Sequence, residues 1–342
     1  MEQVYVRKLA SVRKIAEVKP IPDADKICAY RVDGWWVVDQ VGKYQVGDLV
    51  IYAEPDSWIP TTLAPFLSKG KEPRVFNGVQ GEKLRTVRLR KQLSQGLLLP
   101  LSVTDGLIES ELMEGLDVTF PLGIQKWEPP PEFTSADARG NFPSFLHKTD
   151  QERVQNCYND VAAYFDAMTF EVTEKAEGSS MTVYFRDGDF GVCSRNIDLK
   201  ESEDNTYWKT ANENNLREKL TQLGKNVAIQ GELCGPGIQD NIYNLTKYHW
   251  FIFDVFDINT GSYYTPEMRR ELTAQLGLTD VPVLHTAYSL KGMTCDDLLK
   301  YADGQSVLGL IGCLREGLVF KANSDERISF KAVSNKYLEL HG

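Results

Sequence analysis

Between about residues 121 and 147 the sequence reads PLGIQKWEPPPEFTSADARGNFPSFLH, and it separates two stretches of different texture. Before it, short β-rich runs alternate with turn signals. Val4 to Ile15 is followed by Pro20, Pro22 and Asp23, then Ile27 to Val32, Asp33-Gly34 and WWVVDQV, and Gly47-Asp48 precedes LVIYAE. KLRTVRLRKQL and QGLLLPL continue the pattern, so five or so short strands predict a small closed or half-closed barrel over residues 1–120. Three consecutive prolines, Pro129 to Pro131, remove backbone donors and favour extended chain, which predicts a linker over 121–147. From 148 to 342 helical and strand patterns alternate, which predicts an α+β domain.

In that second domain FEVTEKAEG, SMTVYFRDG and DFGVCSRN read as antiparallel strands, and NVAIQGEL and YHWFIFDVFDI as buried ones. Helices are expected at TDQERVQNCYNDVAAYFDAM, with Thr149 or Asp150 as N-cap, and at TYWKTANENNLREKLTQLG, TPEMRRELTAQLG and CDDLLKYADGQ. GLVFKA and RISFKAV are the last expected strands.

Charge restricts the function classes. The 342 residues carry 38 Lys and Arg against 48 Asp and Glu, a formal charge of −10. A simple basic coat for nucleic acid is therefore excluded, because such proteins bind by neutralising many phosphates. The sum hides a local excess. Residues 69–91 hold eight basic residues (Lys69, Lys71, Arg74, Lys83, Arg85, Arg88, Arg90 and Lys91) against Glu72 and Glu82. These read either as a solvated strand face or as a groove for RNA, and Lys83, Arg85, Arg88 and Arg90 are the candidates for the groove. Of Trp35 and Trp36, alternation sends one into the core and one outward.

Other chemistries lack their residues. The six cysteines form no CxxC pair, the four histidines form no HExxH, and neither a GxxxxGK[ST] loop nor GxGxxG occurs. Reduced, mostly buried thiols are expected. The first residues contain no long apolar run, so a soluble intracellular protein without a membrane span is expected.

What remains is Lys175-Ala176-Glu177-Gly178 after the strand FEVTE. A lysine at a strand end, followed by an acid and a glycine, suits a covalent nucleophile in a turn, although an exposed β-turn often holds the same residues. The rest of the domain supplies the context. KAEG, CSRN (Cys193 to Asn196), IQGEL (Ile229 to Leu233), FIFDVFD (Phe251 to Asp257), REGLVFK (Arg315 to Lys321) and SFKAVSNKYL (Ser329 to Leu338) stand in the order of motifs I, Ia, III, IIIa, IV and V of the covalent nucleotidyltransferases. The chain thus resembles the superfamily of polynucleotide ligases and mRNA capping enzymes. Within it the chain is most similar to RNA ligases of the Deinococcus and Naegleria type, in which an N-terminal OB-fold barrel precedes a nucleotidyltransferase domain built on antiparallel sheets with flanking helices. KPIPDADKICAYRVDGW also resembles the opening of OB-fold tRNA-binding modules, and FPSFLHKTDQERVQN the segment that precedes motif I in these ligases. The chain ends 11 residues after Lys331, so the further OB domain that DNA ligases and capping enzymes place after motif V is not expected.

The resemblance implies ATP and Mg2+ or Mn2+ as cofactors, and as substrate RNA with 3′-hydroxyl and 5′-phosphate ends, a nicked duplex being one form of it. It implies no protein partner. Lys175 is the implied nucleophile toward the α-phosphorus of ATP. Lys331 contacts that phosphate, and Glu177, Glu232 and Glu316 anchor the metal through waters. Arg195 and Glu232 bind ribose, Phe253 stacks on adenine, and Glu174 contributes to the base pocket. The alternative for Phe253, in an apolar strand, is a core residue, and for Arg195 an ordinary surface residue. Arg153 and Asn156 either contact ATP phosphates or brace the helix that follows them. Lys336 is a further phosphate candidate, because Val333 stands where many ligases carry the second lysine of motif V. A DNA ligase or GTP-using capping enzyme is the enzymatic alternative, and a noncatalytic RNA-binding protein the alternative of another class.

Overall fold

A computed structural model describes residues 7–128, 133–148 and 150–341. Pro129 to Pro131 and Thr149 therefore lie outside the described residues. The chain divides into two compact units, Met1–Pro131 with His341–Gly342, and Glu132–Leu340. The residues read as a linker contribute a strand to each unit, because Gln125–Lys126 pairs with one sheet and Ala138–Asn141 with another.

In the first unit β1 (Ala10–Lys14), β2 (Glu17–Ile21), β3 (Ala24–Val32), β4 (Trp35–Gln40), β5 (Leu49–Ala53) and β6 (Ser57–Pro60) lead into two hairpins. These are β7 (Arg74–Phe76) with β8 (Val79–Lys83), and β9 (Val87–Leu89) with β10 (Gln92–Ser94); β11 (Leu97–Leu99) and β12 (Gln125–Lys126) follow. More finely divided than the five or so short strands expected, the unit forms small sheets ordered β1-β5-β11, β2-β3-β4, β12-β6-β8-β7 and β10-β9. Tight turns do the cutting: Asn77-Gly78 and Arg90-Lys91 carry positive φ at both positions, as two-residue hairpins require. Val12, Ile51, Ala53, Ile59 and Val118 fill one core, and Tyr30, Trp35, Val50 and Tyr52 fill a second.

In the second unit β13 (Ala138–Asn141) and α1 (Val154–Val161) precede β14 (Thr169–Lys175), β15 (Ser179–Arg186), β16 (Asp189–Cys193) and β17 (Ile197–Leu199). Then come α2 (Thr206–Glu213), α3 (Leu216–Leu223), β18 (Val227–Cys234), β19 (His249–Asp257), β20 (Ser262–Tyr263), α4 (Pro266–Gln275) and β21 (Thr279–Asp280). β22 (Val283–Ser289), α5 (Cys295–Ala302), β23 (Gly317–Ala322), β24 (Ser329–Val333) and α6 (Asn335–His341) complete it. One sheet runs β13-β17-β16-β15-β18-β19-β20, with β21 parallel to β19; the other runs β22-β14-β23-β24. α2, α3 and α4 pack on the first through Trp208, Leu220 and Leu272, and α1 and α5 on the second through Val154, Val161 and Leu298.

Two helix expectations are corrected. α1 starts at Val154, with Arg153 as its N-cap residue and no side-chain cap. Arg153 forms a parallel bridge with Lys331, and the Lys331 N–H donates to the Glu152 carbonyl at 2.8 Å, which holds this stretch extended. The single helix expected from Thr206 is two, because Asn215 takes a left-handed φ of 52°. The cysteines are free, and Cys28, Cys193, Cys234 and Cys295 are buried. Among the described residues no helix is long and apolar enough to cross a membrane.

Candidate active site

Strand register assembles the site. Along β14, Glu171, Thr173 and Lys175 share one face, while Phe170 and Val172 face the core formed with α1 and α5. Across the sheet Lys175 is opposite Gly317, and Gly317 is opposite Val333; Thr173, Val319 and Lys331 form the next row. Lys331 therefore presents its side chain on the same face as Lys175. So does Val333, and the position of the missing motif V lysine is thus filled by a buried apolar residue on the face of Lys175.

Glu316 immediately precedes β23, and its Oε2 accepts a charge-assisted hydrogen bond from Lys175 Nζ at 2.5 Å. Glu232 on β18 is opposite Ser180 of β15, just beyond the turn that carries Glu177 and Gly178. Gly178 permits this approach: a Cβ there would lie 2.4 Å from the Leu233 carbonyl oxygen and 3.1 Å from Glu232 Cγ. The turn is held by its main chain. The Glu177 N–H donates to Tyr243 Oη at 2.7 Å, and Cys234 Sγ donates to the Glu177 carbonyl at 3.3 Å.

These groups act on one another electrostatically. Burial pulls the Lys175 ammonium down, but Glu316 and Glu232 outweigh it and hold its pKa above the ordinary value. Burial raises Glu232 to about 7, with Glu316 adding repulsion and Lys175 and Arg195 opposing it. Glu177 is likewise raised to about 7 by burial and by Glu316, against a hydrogen bond from the Asp240 backbone and the charge on Lys175. Arg153, 6% exposed, lies close enough to disfavour the charge on Lys175. Lys175, Glu177, Glu232, Glu316, Arg153 and Arg195 thus form one electrostatic cluster.

Other residues go elsewhere. Arg195 donates to both carboxylate oxygens of Asp150 at 2.8 and 2.9 Å, so Asp150, expected as a helix cap, is an ion-pair partner instead. Glu174, on the face opposite Lys175, accepts from the Ser306 hydroxyl and from the Val307 N–H at 2.9 Å. Phe253 is half-buried and packs in the cluster of Ala176, which follows Lys175, with Phe251, Leu308 and Cys313. Asn156 donates to Glu152 Oε1 at 2.9 Å, a bracing contact, and Lys336 is exposed at the start of α6. Tyr243 and Asp240 were not foreseen; they lie in the loop between β18 and β19, where no strand or helix pattern marks them.

In the first unit Trp35 is buried, whereas Trp36 faces outward with Lys19 Nζ 3.8 Å above its ring. Arg85, Arg88 and Arg90 are exposed on and around the β9-β10 hairpin. Lys83 departs from the expectation of a free basic edge. Its side chain is 12% exposed, lies 4.2 Å from the Trp127 ring and pairs with Asp56 at 3.4 Å, because its position in β8 turns it toward these groups.

A lysine poised among carboxylates can attack a phosphorus once it loses its proton. The RNA ligase family profile matches residues 168–333, and an OB-fold domain profile matches residues 9–101. No curated protein matches the chain. Solved structures of variants of a Naegleria gruberi RNA ligase, one with AMP and Mn (TM-score 0.91) and one with ATP and Mn (TM-score 0.90), are similar along the whole length. Identity is 42% in both, over 98% of this chain and 99% of that one. A structure of that ligase with pyrophosphate aligns equally, with a TM-score of 0.90. With an OB-fold profile ahead of the RNA ligase profile and 42% identity to an RNA ligase over 98% of the chain, the protein belongs to the RNA ligase family.

Proposed function

We propose that this RNA ligase uses ATP and Mg2+ or Mn2+ to join an RNA 3′-hydroxyl to a 5′-phosphate through a lysyl-AMP intermediate. The observation that carries the reading is the Lys175–Glu316 contact at 2.5 Å, surrounded by Glu177 and Glu232. In the first step Lys175 Nζ forms a bond to the α-phosphorus as the bond to pyrophosphate breaks. Its ammonium must first lose a proton, and Glu316 Oε2 is the adjacent acceptor. Lys331, on the same face, stabilises charge on the α-phosphate. AMP then passes to the RNA 5′-phosphate, and the 3′-hydroxyl of the other strand expels it.

The residues fit a hydrated divalent cation. Glu177 Oε2 is buried without a hydrogen-bond partner, and hard carboxylate oxygens suit the water shell that Mg2+ retains. Glu177, Glu232 and Glu316 would hold that shell. The bound cation supplies positive charge to the α-phosphate and offsets the carboxylates that keep Lys175 protonated. Arg195 and Glu232 are assigned to the ribose and Phe253 to the adenine face. Arg153 is assigned to the ATP phosphates, with Asn156 and Lys336 as further candidates. Glu174, committed to Ser306 and Val307, shapes the base pocket through that loop.

Intact-mass spectrometry after incubation with ATP and Mg2+ tests the reading. The wild type should gain one AMP and Lys175→Met none. An adduct on Lys175→Met, or an adduct formed from GTP alone, would overturn it. Defined nicks with RNA or DNA 3′-ends then establish the strand requirement.

A further inference from the structure

Phe253 is the irregular residue of its strand. Between β18 and β19 Gln230 is opposite Asp254, but the next residue, Gly231, is opposite Ile252, so Phe253 is left over as a bulge. On the other edge of β19, β21 pairs only with Phe251 and Ile252, and β20 only with Phe256 and Asp257. The Phe253 carbonyl accepts instead from two buried cations. Lys321 Nζ donates to it, and Arg269 Nη1 donates to it at 3.3 Å.

Both cations belong to a buried charge lattice. Lys321 also donates to Asp254 Oδ1 at 2.9 Å, and Arg327 donates to both oxygens of Asp254. Arg269 donates to Glu171 at 2.8 and 3.1 Å and to Asp280 at 3.0 Å. Lys321, Asp254, Arg269 and Glu171 are each at most 4% exposed. Glu171 lies on β14, four residues before Lys175 on the same face, and Lys321 is directly opposite it on β23. The lattice therefore ties the bulge in one sheet to the nucleophile strand in the other. Apolar residues could fill this volume without desolvating charge. What they could not do is hold a carbonyl released from its ladder.

We propose that Lys321 and Arg269 are positioning residues for the nucleotide base: by fixing the Phe253 carbonyl they set the plane and depth of its ring relative to Lys175. The inference rests on the reading that Phe253 stacks on adenine.

The test follows lysine adenylylation in Lys321→Met, Arg269→Lys and Phe253→Leu, and in Phe253→Leu combined with Lys321→Met. Lys321→Met leaves Asp254 paired with Arg327, and Arg269→Lys leaves Glu171 paired with Arg270. Each single variant should raise the KM for ATP by about tenfold, the worth of one misplaced aromatic ring, with the maximal rate changed less than about threefold. The double variant should be no worse than Phe253→Leu alone. The KM for pyrophosphate, measured in reversal from preformed lysyl-AMP, should not move, because pyrophosphate carries no base. Should Phe253→Leu leave the KM for ATP unchanged, the stacking reading itself fails and the proposal with it. Where Phe253→Leu raises that KM but the lattice variants do not, or where they raise both KM values together, the positioning role is overturned while stacking stands. If Lys321→Met shows no cooperative thermal transition, Arg269→Lys carries the same comparison.

Discussion

Lys175 and its carboxylates make opposite demands on protons. Glu177 and Glu232 ionise near pH 7 in the folded protein, against an ordinary value of 4.5. Between those pH values the native state binds more protons than the unfolded chain, so stability of the metal-free protein should fall as pH rises from 5 to 8. Glu232→Gln should reduce that dependence, and thermal midpoints at pH 5 and pH 8 should lie closer together in the variant than in the wild type. Asp254 works the other way: against the cost of burial, Arg327 and Lys321 hold its carboxyl well below the usual range, so its contribution is lost only in strong acid. Gly178 allows a steric prediction. Gly178→Ala, forced against the Leu233 carbonyl and Glu232, should lower stability by about 1–3 kcal/mol in urea unfolding and slow adenylylation measurably. The KAEG turn was legible in the sequence because a strand-end lysine, an acid and a close-approach glycine are choices of residue type. The partnership of Glu174 with Ser306 and Val307 was not, since nothing local to either segment announces a contact 132 residues away.

At the scale of elements, period and turn chemistry were most reliable where the decision is local. Asp187-Gly188, with positive φ at both positions, closes β15 onto β16 where RDG ends the expected strand. Thr294 caps α5 in a capping box with Asp297, so Thr294→Ala should destabilise the protein by about 1 kcal/mol in urea unfolding. Elements were misread where a distant partner decides. α1 begins late because its lead-in bridges Lys331, and the edge strand β22, exposed over the consecutive residues His285, Thr286 and Ala287, shows too little alternation to be singled out. The bulge at Phe253 is invisible in FIFDVFD, which reads as an unbroken buried strand.

For the whole molecule, the charge of −10 is unevenly divided. Residues 1–120 hold 16 basic and 16 acidic residues, and residues 121–342 hold 22 and 32. A carboxylate-rich adenylylating unit and a neutral barrel with an exposed basic hairpin should separate the reaction steps by salt sensitivity. Replacing Arg85, Arg88 and Arg90 with Ala should leave lysine adenylylation unchanged but weaken RNA binding and sealing. The salt dependence of RNA affinity should become shallower, its slope falling by about 0.7 for each phosphate that is no longer neutralised. Filter binding at several salt concentrations, beside adduct formation, measures both.

The sequence alone determined the class of chemistry, the order of its motifs, the barrel ahead of the catalytic unit and the residue types of the site. The class of chemistry is implied by the resemblance of six motifs, in their order, to a known superfamily; the remainder follows from residue identity and short-range periodicity. Tertiary structure decided which residues meet: Glu316 against Lys175, 141 residues apart; Lys331 and Val333 on the face of Lys175; Lys83 drawn onto Trp127; and two buried cations on the Phe253 carbonyl. Each of these depends on strand register, and register is set by pairing between distant segments. A shift of one residue in that pairing would send every such side chain to the other face, with no change in the sequence motifs themselves.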